Sequence, residues 1–213
     1  PEMVAGHSLG EYTALVAAEA MAFQDCLPLV RFRAQSMQEA VPEGRGAMAA
    51  ILMLDDEAVR AACVEAGGVV QPVNYNAPGQ VVIAGEKAAV ERAMQLCKTR
   101  GAKRAMPLPV SAPFHSTLMQ PAAAKLRDYL GKVSIAAPRI AVVNNVDVAI
   151  ESDPARIKDA LVRQAAAPVR QRRRSTCSRS RARPSTATTS SRATTPQPAP
   201  RCATSRWAPV PAR

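Results

Sequence analysis

Residues 6–10 read Gly-His-Ser-Leu-Gly, a GxSxG pattern that can present a serine nucleophile. An apolar strand ends near Gly6 and an Ala-rich helix begins near Glu11, which would place Ser8 on a sharp strand-to-helix turn. We expect the turn to need its glycines, because neighbouring backbone comes close there. The first N–H groups of the helix can stabilise a developing oxyanion. A five-residue match can arise by chance, but the strand before it and the helix after it favour the catalytic interpretation.

A serine nucleophile needs a base, and the chain has two histidines. His7 adjoins Ser8 and should point the other way across the turn, so we interpret it as a packing or hydrogen-bonding residue. His115 remains by elimination, although an isolated histidine in a loop is usually a surface residue. No acidic partner is obvious near it. Its orienting group is expected to be a backbone carbonyl, an amide carbonyl, or a residue outside this chain.

Arg33 lies at the edge of the apolar stripe of a predicted helix over about residues 25–40. The functional interpretation is a bidentate clamp on a substrate carboxylate. The alternative is a surface arginine whose stem covers apolar side chains, and Arg33 taken alone favours that alternative. Four asparagines at predicted strand ends can line a cleft, although turn residues are their default interpretation; they are Asn74, Asn76, Asn144 and Asn145.

The order of predicted elements is that of an α/β protein with two parts. Residues 46–110 follow a βαββαβ order, which is typical of a ferredoxin-like unit. The residues on either side, 1–45 and 111–170, predict a parallel sheet with flanking helices. We therefore expect an α/β core into which a ferredoxin-like subdomain is inserted.

The net charge of +11 suggests a nucleic-acid partner until the charges are located along the chain. Residues 171–213 hold ten Arg and no Asp, Glu or Lys, while residues 1–170 hold 18 basic and 17 acidic residues. The tail is predicted to be disordered, because its composition cannot form a core. It is either a basic arm or the product of a shifted reading frame, and the abrupt change near Arg170 favours the second.

The five cysteines are widely spaced and form no CxxC or Cys/His pattern, so we expect neither a disulfide framework nor a metal site. A reducing, cytoplasmic location fits this usage best. No signal peptide and no membrane span are predicted. The absent initiator Met predicts that the sequence begins inside a longer reading frame.

Residues 6–12, Gly-His-Ser-Leu-Gly-Glu-Tyr, resemble the active-site segment of malonyl-CoA:acyl carrier protein transacylases of bacterial fatty acid synthesis. The resemblance covers about residues 1–170 and continues through five further segments, 37–42, 46–50, 72–80, 110–115 and 143–147. It implies an α/β-hydrolase-like acyltransferase core with a ferredoxin-like insertion, in agreement with the pattern above.

The same resemblance implies roles for four residues: Ser8 as the acyl nucleophile, His115 as its base, Arg33 as the clamp on the malonyl carboxylate, and the Leu9 backbone N–H as one oxyanion donor. We expect Phe114 and Asn76 to be further substrate-binding residues. The Gly-Gln-Gly-Ser-Gln segment of the family, whose Gln gives the other oxyanion donor, has no counterpart in this sequence. The resemblance also implies that a residue beyond the position of Arg170 orients the histidine.

The expected function is transfer of a malonyl group from malonyl-CoA to the phosphopantetheine thiol of acyl carrier protein through a malonyl-serine ester. No metal or bound cofactor is expected, and neither nucleic acid nor membrane is an expected partner of what should be a monomer. One alternative is a serine thioesterase or esterase on the same scaffold, which would release free malonate. The other is a basic nucleic-acid-binding protein that acts through residues 171–213.

Overall fold

The computed structural model describes residues 1–170. The predicted tail, 171–213, lies outside the described residues, and both interpretations of it stay predictions. The described elements, in chain order, are β1 (Met3–Ala5), α1 (Leu9–Ala17), α2 (Phe23–Glu39), β2 (Gly46–Leu52), α3 (Asp56–Ala66), β3 (Val70–Ala77), β4 (Gln80–Glu86), α4 (Lys87–Thr99), β5 (Arg104–Pro107), a 3₁₀ turn (Thr117–Met119), α5 (Gln120–Gly131), β6 (Ala141–Val143) and α6 (Pro154–Ala165).

A short parallel sheet carries the serine turn. β1 pairs with β6 in parallel, with Val4 opposite Val142. Side chains from α1, α2, α5 and α6 pack with this pair in one apolar cluster that includes Leu15, Leu29 and Leu126. The predicted α/β class, a parallel sheet with flanking helices, is confirmed.

The second sheet has four antiparallel strands in the order β3-β4-β2-β5. Helices α3 and α4 form an apolar cluster with it around Ile51, Val59 and Ile83. Asp55 caps α3, because its side chain accepts a hydrogen bond from Glu57 N at 2.8 Å. Elements β2 to β5 have the predicted βαββαβ order. Their assignment to a separate subdomain stays a prediction, since residues 1–170 fall within one compact unit.

Two expectations are wrong: that Asn76 lies in a turn, and that the helix after Ser8 begins near Glu11. β3 continues to Ala77, so the turn that follows contains two residues, Pro78 and Gly79, and Gly79 has a φ of +69° that favours glycine. Asn76 is therefore a strand residue and not a turn residue. Helix α1 begins at Leu9 instead of near Glu11, directly after Ser8.

Residues 1–170 contain neither a candidate membrane-spanning helix nor a candidate metal-binding cluster. No helix there has the length and apolar character needed to cross a membrane. No group of three or more His, Cys, Asp or Glu side chains is placed there to hold a metal ion.

Candidate active site

Ser8 lies between β1 and α1 in a backbone conformation that non-glycine residues rarely adopt, with φ of 49° and ψ of −105°. Such a conformation costs on the order of 1–3 kcal/mol and persists when its surroundings hold it in place. Two side-chain amides hold this one. Ser8 N donates to Asn145 Oδ1 at 2.9 Å, and Gln164 Nε2 donates to Ser8 O at 3.1 Å.

The two glycines of the pattern, Gly6 and Gly10, differ in the space available for a side chain. A Cβ on Gly6 would lie 1.9 Å from the carbonyl carbon and oxygen of Gly10, so the predicted close approach of backbone is confirmed at Gly6. A Cβ on Gly10 would meet nothing within 4 Å, so the same expectation is wrong there. Gly10 contributes the backbone against which Gly6 packs.

His115 reaches the serine hydroxyl from the loop before the 3₁₀ turn. Its Nε2 lies 2.8 Å from Ser8 Oγ, and its Nδ1 lies 2.8 Å from the backbone oxygen of Gln164. A carbonyl can only accept a hydrogen bond, so Nδ1 carries the proton and Nε2 is left to accept the proton of Ser8. The orienting group is thus a backbone carbonyl inside the described residues, and the implied location beyond Arg170 is wrong.

The surroundings of His115 keep its ring neutral. The side chain is 4% exposed, so its default interpretation as a surface histidine is wrong. Burial and, second to it, the nearby Arg33 charge lower the pKa of His115 from 6.5 to about 3, although the hydrogen bond to the Gln164 carbonyl acts in the opposite direction. Near neutral pH the ring is therefore unprotonated and can accept a proton from Ser8.

Arg33 is buried at the site, which excludes its interpretation as a surface arginine. Its Nη2 donates to Ser8 Oγ at 2.8 Å and to Gln164 Oε1 at 3.0 Å. Its Nε is buried and has no hydrogen-bond partner among the described residues. A buried donor of this kind is costly unless a ligand satisfies it, and a carboxylate is the ligand that suits a guanidinium best.

A cavity of about 380 Å³ opens beside these groups, and its lining comes from the serine turn, α2, the loop that carries His115 and the second sheet. The lining residues are His7, Ser8, Arg33, Ala34, Met37, Gln38, Met48, Asn74, Phe114 and His115. Phe114 is among these residues, and its contact with a substrate stays a prediction. Asn76 is not among these residues: its Oδ1 lies 3.2 Å from His7 Nε2, and Asn74 takes the place in the lining that was expected for Asn76.

Leu9, the implied oxyanion donor, is the first residue of α1 and directly follows Ser8. Its N–H belongs to the first turn of the helix, where backbone N–H groups have no intrahelical acceptor. Its side chain is exposed, and its role as an oxyanion donor stays a prediction that concerns its backbone alone.

Sequence reasoning missed Gln164, and it expected Asn145 to be a turn residue by default or to line a cleft, not to hold the Ser8 backbone. Gln164 follows Ile157, Ala160 and Leu161 at helical spacing on the buried face of α6, and a polar residue in that position was a usable signal. Asn144 does act as a turn residue, since its Oδ1 accepts from the N–H groups of Asp147 and Val148.

A serine on a strained strand-to-helix turn, with a neutral histidine on its hydroxyl, is the arrangement of α/β enzymes that form acyl-serine esters. A family model described as an acyl transferase domain matches residues 1–194. The chain belongs to this acyl transferase family.

Individual relatives give the same picture. The malonyl CoA-acyl carrier protein transacylase of Escherichia coli is 60% identical over 171 residues, which cover 79% of this chain and 55% of that protein. The crystal structure of an acyl-carrier-protein S-malonyltransferase from Burkholderia pseudomallei is 70% identical, with a TM-score of 0.78 over 79% of this chain and 56% of that one. A malonyl-transacylase in complex with a type II PKS acyl-carrier protein is 55% identical, with a TM-score of 0.79 over 80% and 56% of the two chains. This chain spans about half the length of the curated relatives that it matches.

Proposed function

We propose that this chain transfers a malonyl group from malonyl-CoA to the phosphopantetheine thiol of acyl carrier protein through an ester on Ser8. The observation that carries the proposal is the position of Ser8 Oγ, 2.8 Å from His115 Nε2 and 2.8 Å from Arg33 Nη2. A nucleophile, its base and a carboxylate-binding cation thus meet at one cavity.

The first half of the reaction follows from these contacts. Ser8 Oγ attacks the thioester carbonyl of malonyl-CoA while its proton moves to His115 Nε2. The Leu9 N–H faces the oxyanion that forms, and the Gln164 carbonyl near the C-terminus of α6 stabilises the imidazolium. The tetrahedral intermediate collapses to malonyl-Ser8, and the CoA sulfur leaves with the proton from Nε2.

The second half reverses these steps with a different thiol. The phosphopantetheine thiol of the carrier protein gives its proton to His115 Nε2 and attacks the ester carbonyl. Ser8 Oγ leaves and recovers the proton. No metal or redox group takes part in either half, because proton transfer and acyl transfer balance on their own.

Arg33 gives the site a means to recognise malonyl. The free carboxylate of the malonyl group pairs with the buried guanidinium, whereas an acetyl group would leave that charge unpaired. Pairing also weakens the effect of Arg33 on its neighbour, which raises the pKa of His115 and makes it a better base when the correct substrate is bound.

The remaining contacts are assigned by position in the cavity. Phe114 lines the cavity, and we assign to it a contact with the acyl group. We assign the asparagine contact to Asn74 instead of Asn76, because Asn74 lines the cavity and its Oδ1 is buried without a partner among the described residues.

The partner is proposed from two lines of support. The chain is similar to transacylases named for malonyl-CoA and acyl carrier protein, and one similar structure contains an acyl-carrier protein bound to its malonyl-transacylase. The alternative in which water replaces the thiol would use the same serine and histidine, so the acceptor must be tested directly. The nucleic-acid alternative depends on residues 171–213, which lie outside the described residues.

The test is intact-protein mass spectrometry of the chain after incubation with malonyl-CoA. We expect a malonyl adduct in the wild-type chain and none in Ser8→Ala. Addition of holo acyl carrier protein should remove the adduct and give malonyl-carrier protein. Release of free malonate at the same rate without the carrier would favour the hydrolase, and an adduct that persists in Ser8→Ala would exclude Ser8 as the nucleophile.

A further inference from the structure

Glu11, in the first turn of α1, is a buried carboxylate that the proposed reaction does not use. Its side chain is 2% exposed. A buried charge is costly unless hydrogen bonds compensate for the water that it has lost. Glu11 Oε2 accepts three such hydrogen bonds, so this one carboxylate oxygen connects several neighbouring groups.

The donors to Glu11 are the residues that hold Ser8. Asn145 donates from its backbone N at 2.8 Å and also from its side-chain Nδ2. Gln164 donates from Nε2 at 3.0 Å. Through these residues Glu11 is one step from both sides of the strained residue, since Asn145 accepts from Ser8 N and Gln164 donates to Ser8 O.

A carboxylate accepts hydrogen bonds and cannot donate them, which fixes how the two amides are turned. With the NH₂ group of Asn145 facing Glu11 and also Gly6 O, to which it donates at 2.9 Å, its oxygen faces the N–H of Ser8. With the NH₂ group of Gln164 facing Glu11 and Ser8 O, its oxygen faces Arg33 Nη2. A turned Asn145 would set a donor against a donor at Ser8 N, and a turned Gln164 would do the same at Arg33.

We infer that Glu11 is a positioning residue whose negative charge sets the orientation of the Asn145 and Gln164 amides and, through them, holds Ser8 ready to react. The inference builds on the proposed function, in which Ser8 is the nucleophile. Glu11 does not touch the reacting atoms in this role; it acts through the two amides.

The test compares two changes to Glu11. Glu11→Gln keeps the size of the side chain but removes the charge and adds a donor, so the side chain no longer has to accept from both amides. Glu11→Asp keeps an acceptor-only carboxylate on a shorter stem. The first readout is the rate at which a fluorophosphonate probe labels Ser8. This rate is divided by the fraction of molecules that are folded, which thermal unfolding gives for each variant. The second is the rate of acylation by malonyl-CoA. The matched control is Glu39→Gln, an exposed glutamate of α2 paired with Lys125.

We expect Glu11→Gln to slow labelling by about 10-fold or more, the effect of losing one hydrogen bond to a charged group. Glu11→Asp should label faster than Glu11→Gln, and Glu39→Gln should match the wild type. A residue that merely fills space would give the opposite order, because Gln is closer to Glu in shape. Labelling of Glu11→Gln at the wild-type rate, or faster than Glu11→Asp, would overturn the inference.

A second variant and the choice of probe ensure that every result of this experiment can be interpreted. Should Glu11→Gln not fold, Gln164→Met replaces it, because it removes the link between Glu11 and Ser8 O but keeps the backbone carbonyl that His115 contacts; labelling at the wild-type rate would then overturn the inference. The fluorophosphonate has neither a thioester nor a carboxylate. Normal labelling without malonylation would therefore contradict the proposed function alone, and a wild-type Ser8 that is not labelled would contradict both.

Discussion

Arg33 affects both reacting groups at once. It donates to Ser8 Oγ, and its charge lowers the pKa of His115. Its guanidinium carbon also lies 5.5 Å from the centroid of the Tyr12 ring, close enough for a cation–π contact. Because the same side chain has a buried Nε without a partner among the described residues, a ligand carboxylate bound there would change the electrostatics of the nucleophile and of its base together.

Substitution of Arg33 should therefore change selectivity as well as rate. We expect Arg33→Ala to raise the activation free energy of malonyl transfer by about 2–5 kcal/mol, the usual effect of removing one partner of a buried charge pair. Acetyl transfer should fall less, so its rate relative to malonyl transfer should rise. The measurement is the rate of Ser8 acylation from malonyl-CoA and from acetyl-CoA.

The control for this change is Arg31→Ala, an exposed arginine two residues earlier in α2 that should leave both rates unchanged. Equal losses for the two acyl groups in Arg33→Ala would contradict recognition of the carboxylate. They would indicate instead that Arg33 acts on Ser8 and Gln164 alone.

The strand-to-helix turn is the element that determines where the serine points. β1 contributes three residues, α1 begins immediately after Ser8, and the chain reverses between them with Gly6 packed on Gly10. The geometry leaves no room for a side chain at the first glycine and ample room at the second.

This difference predicts opposite effects for two equivalent-looking substitutions. Gly6→Ala should destabilise the fold by about 3 kcal/mol or more, because its Cβ would overlap the Gly10 backbone and cannot be relieved by a side-chain rotation. Gly10→Ala should be neutral or stabilising by about 0.5–1 kcal/mol, since Ala is preferred to Gly inside a helix. Urea unfolding of the two variants and the wild type tests this, and similar losses in both would refute the packing argument.

The parts of the site that a single local motif encodes could be predicted from the sequence, whereas the contacts between distant elements could not. The serine turn was predictable because a local pattern, Gly-His-Ser-Leu-Gly, encodes it within one strand and one helix. The contact between His115 and the Gln164 carbonyl was not, because a backbone oxygen has no residue type to recognise. The choice between Asn74 and Asn76 depended on the register of β3 against β4, which shifts between Pro72 and Asn74 and again between Tyr75 and Ala77. A shift of this kind is set by pairing across the sheet and leaves no mark in the sequence of one strand.

At the scale of the whole molecule, distant parts of the chain meet to bury one histidine. His115 is covered by the serine turn at its Nε2, by the end of α6 at its Nδ1 and by Arg33 of α2. Tyr75 and Val169 add a connection between β3 and the segment after α6, since Tyr75 N donates to Val169 O at 3.0 Å. Because several elements together bury His115, its pKa depends on the folding of all of them.

The stability of the chain should consequently fall as the pH is lowered from about 6.5 towards 3. In the folded state His115 stays neutral down to about pH 3, whereas in the unfolded chain it takes up a proton near pH 6.5. Between these values the unfolded state binds more protons, so each unit of pH removes up to about 1.4 kcal/mol of unfolding free energy. Asp147, whose pKa is lowered chiefly by its hydrogen bonds with Arg163, contributes in the same direction but only near and below pH 4. Urea unfolding at pH 7, 6 and 5 should show a steep loss of unfolding free energy in the wild type and a flatter dependence in His115→Gln. Equal slopes in the two chains would show that His115 is not held neutral by the fold.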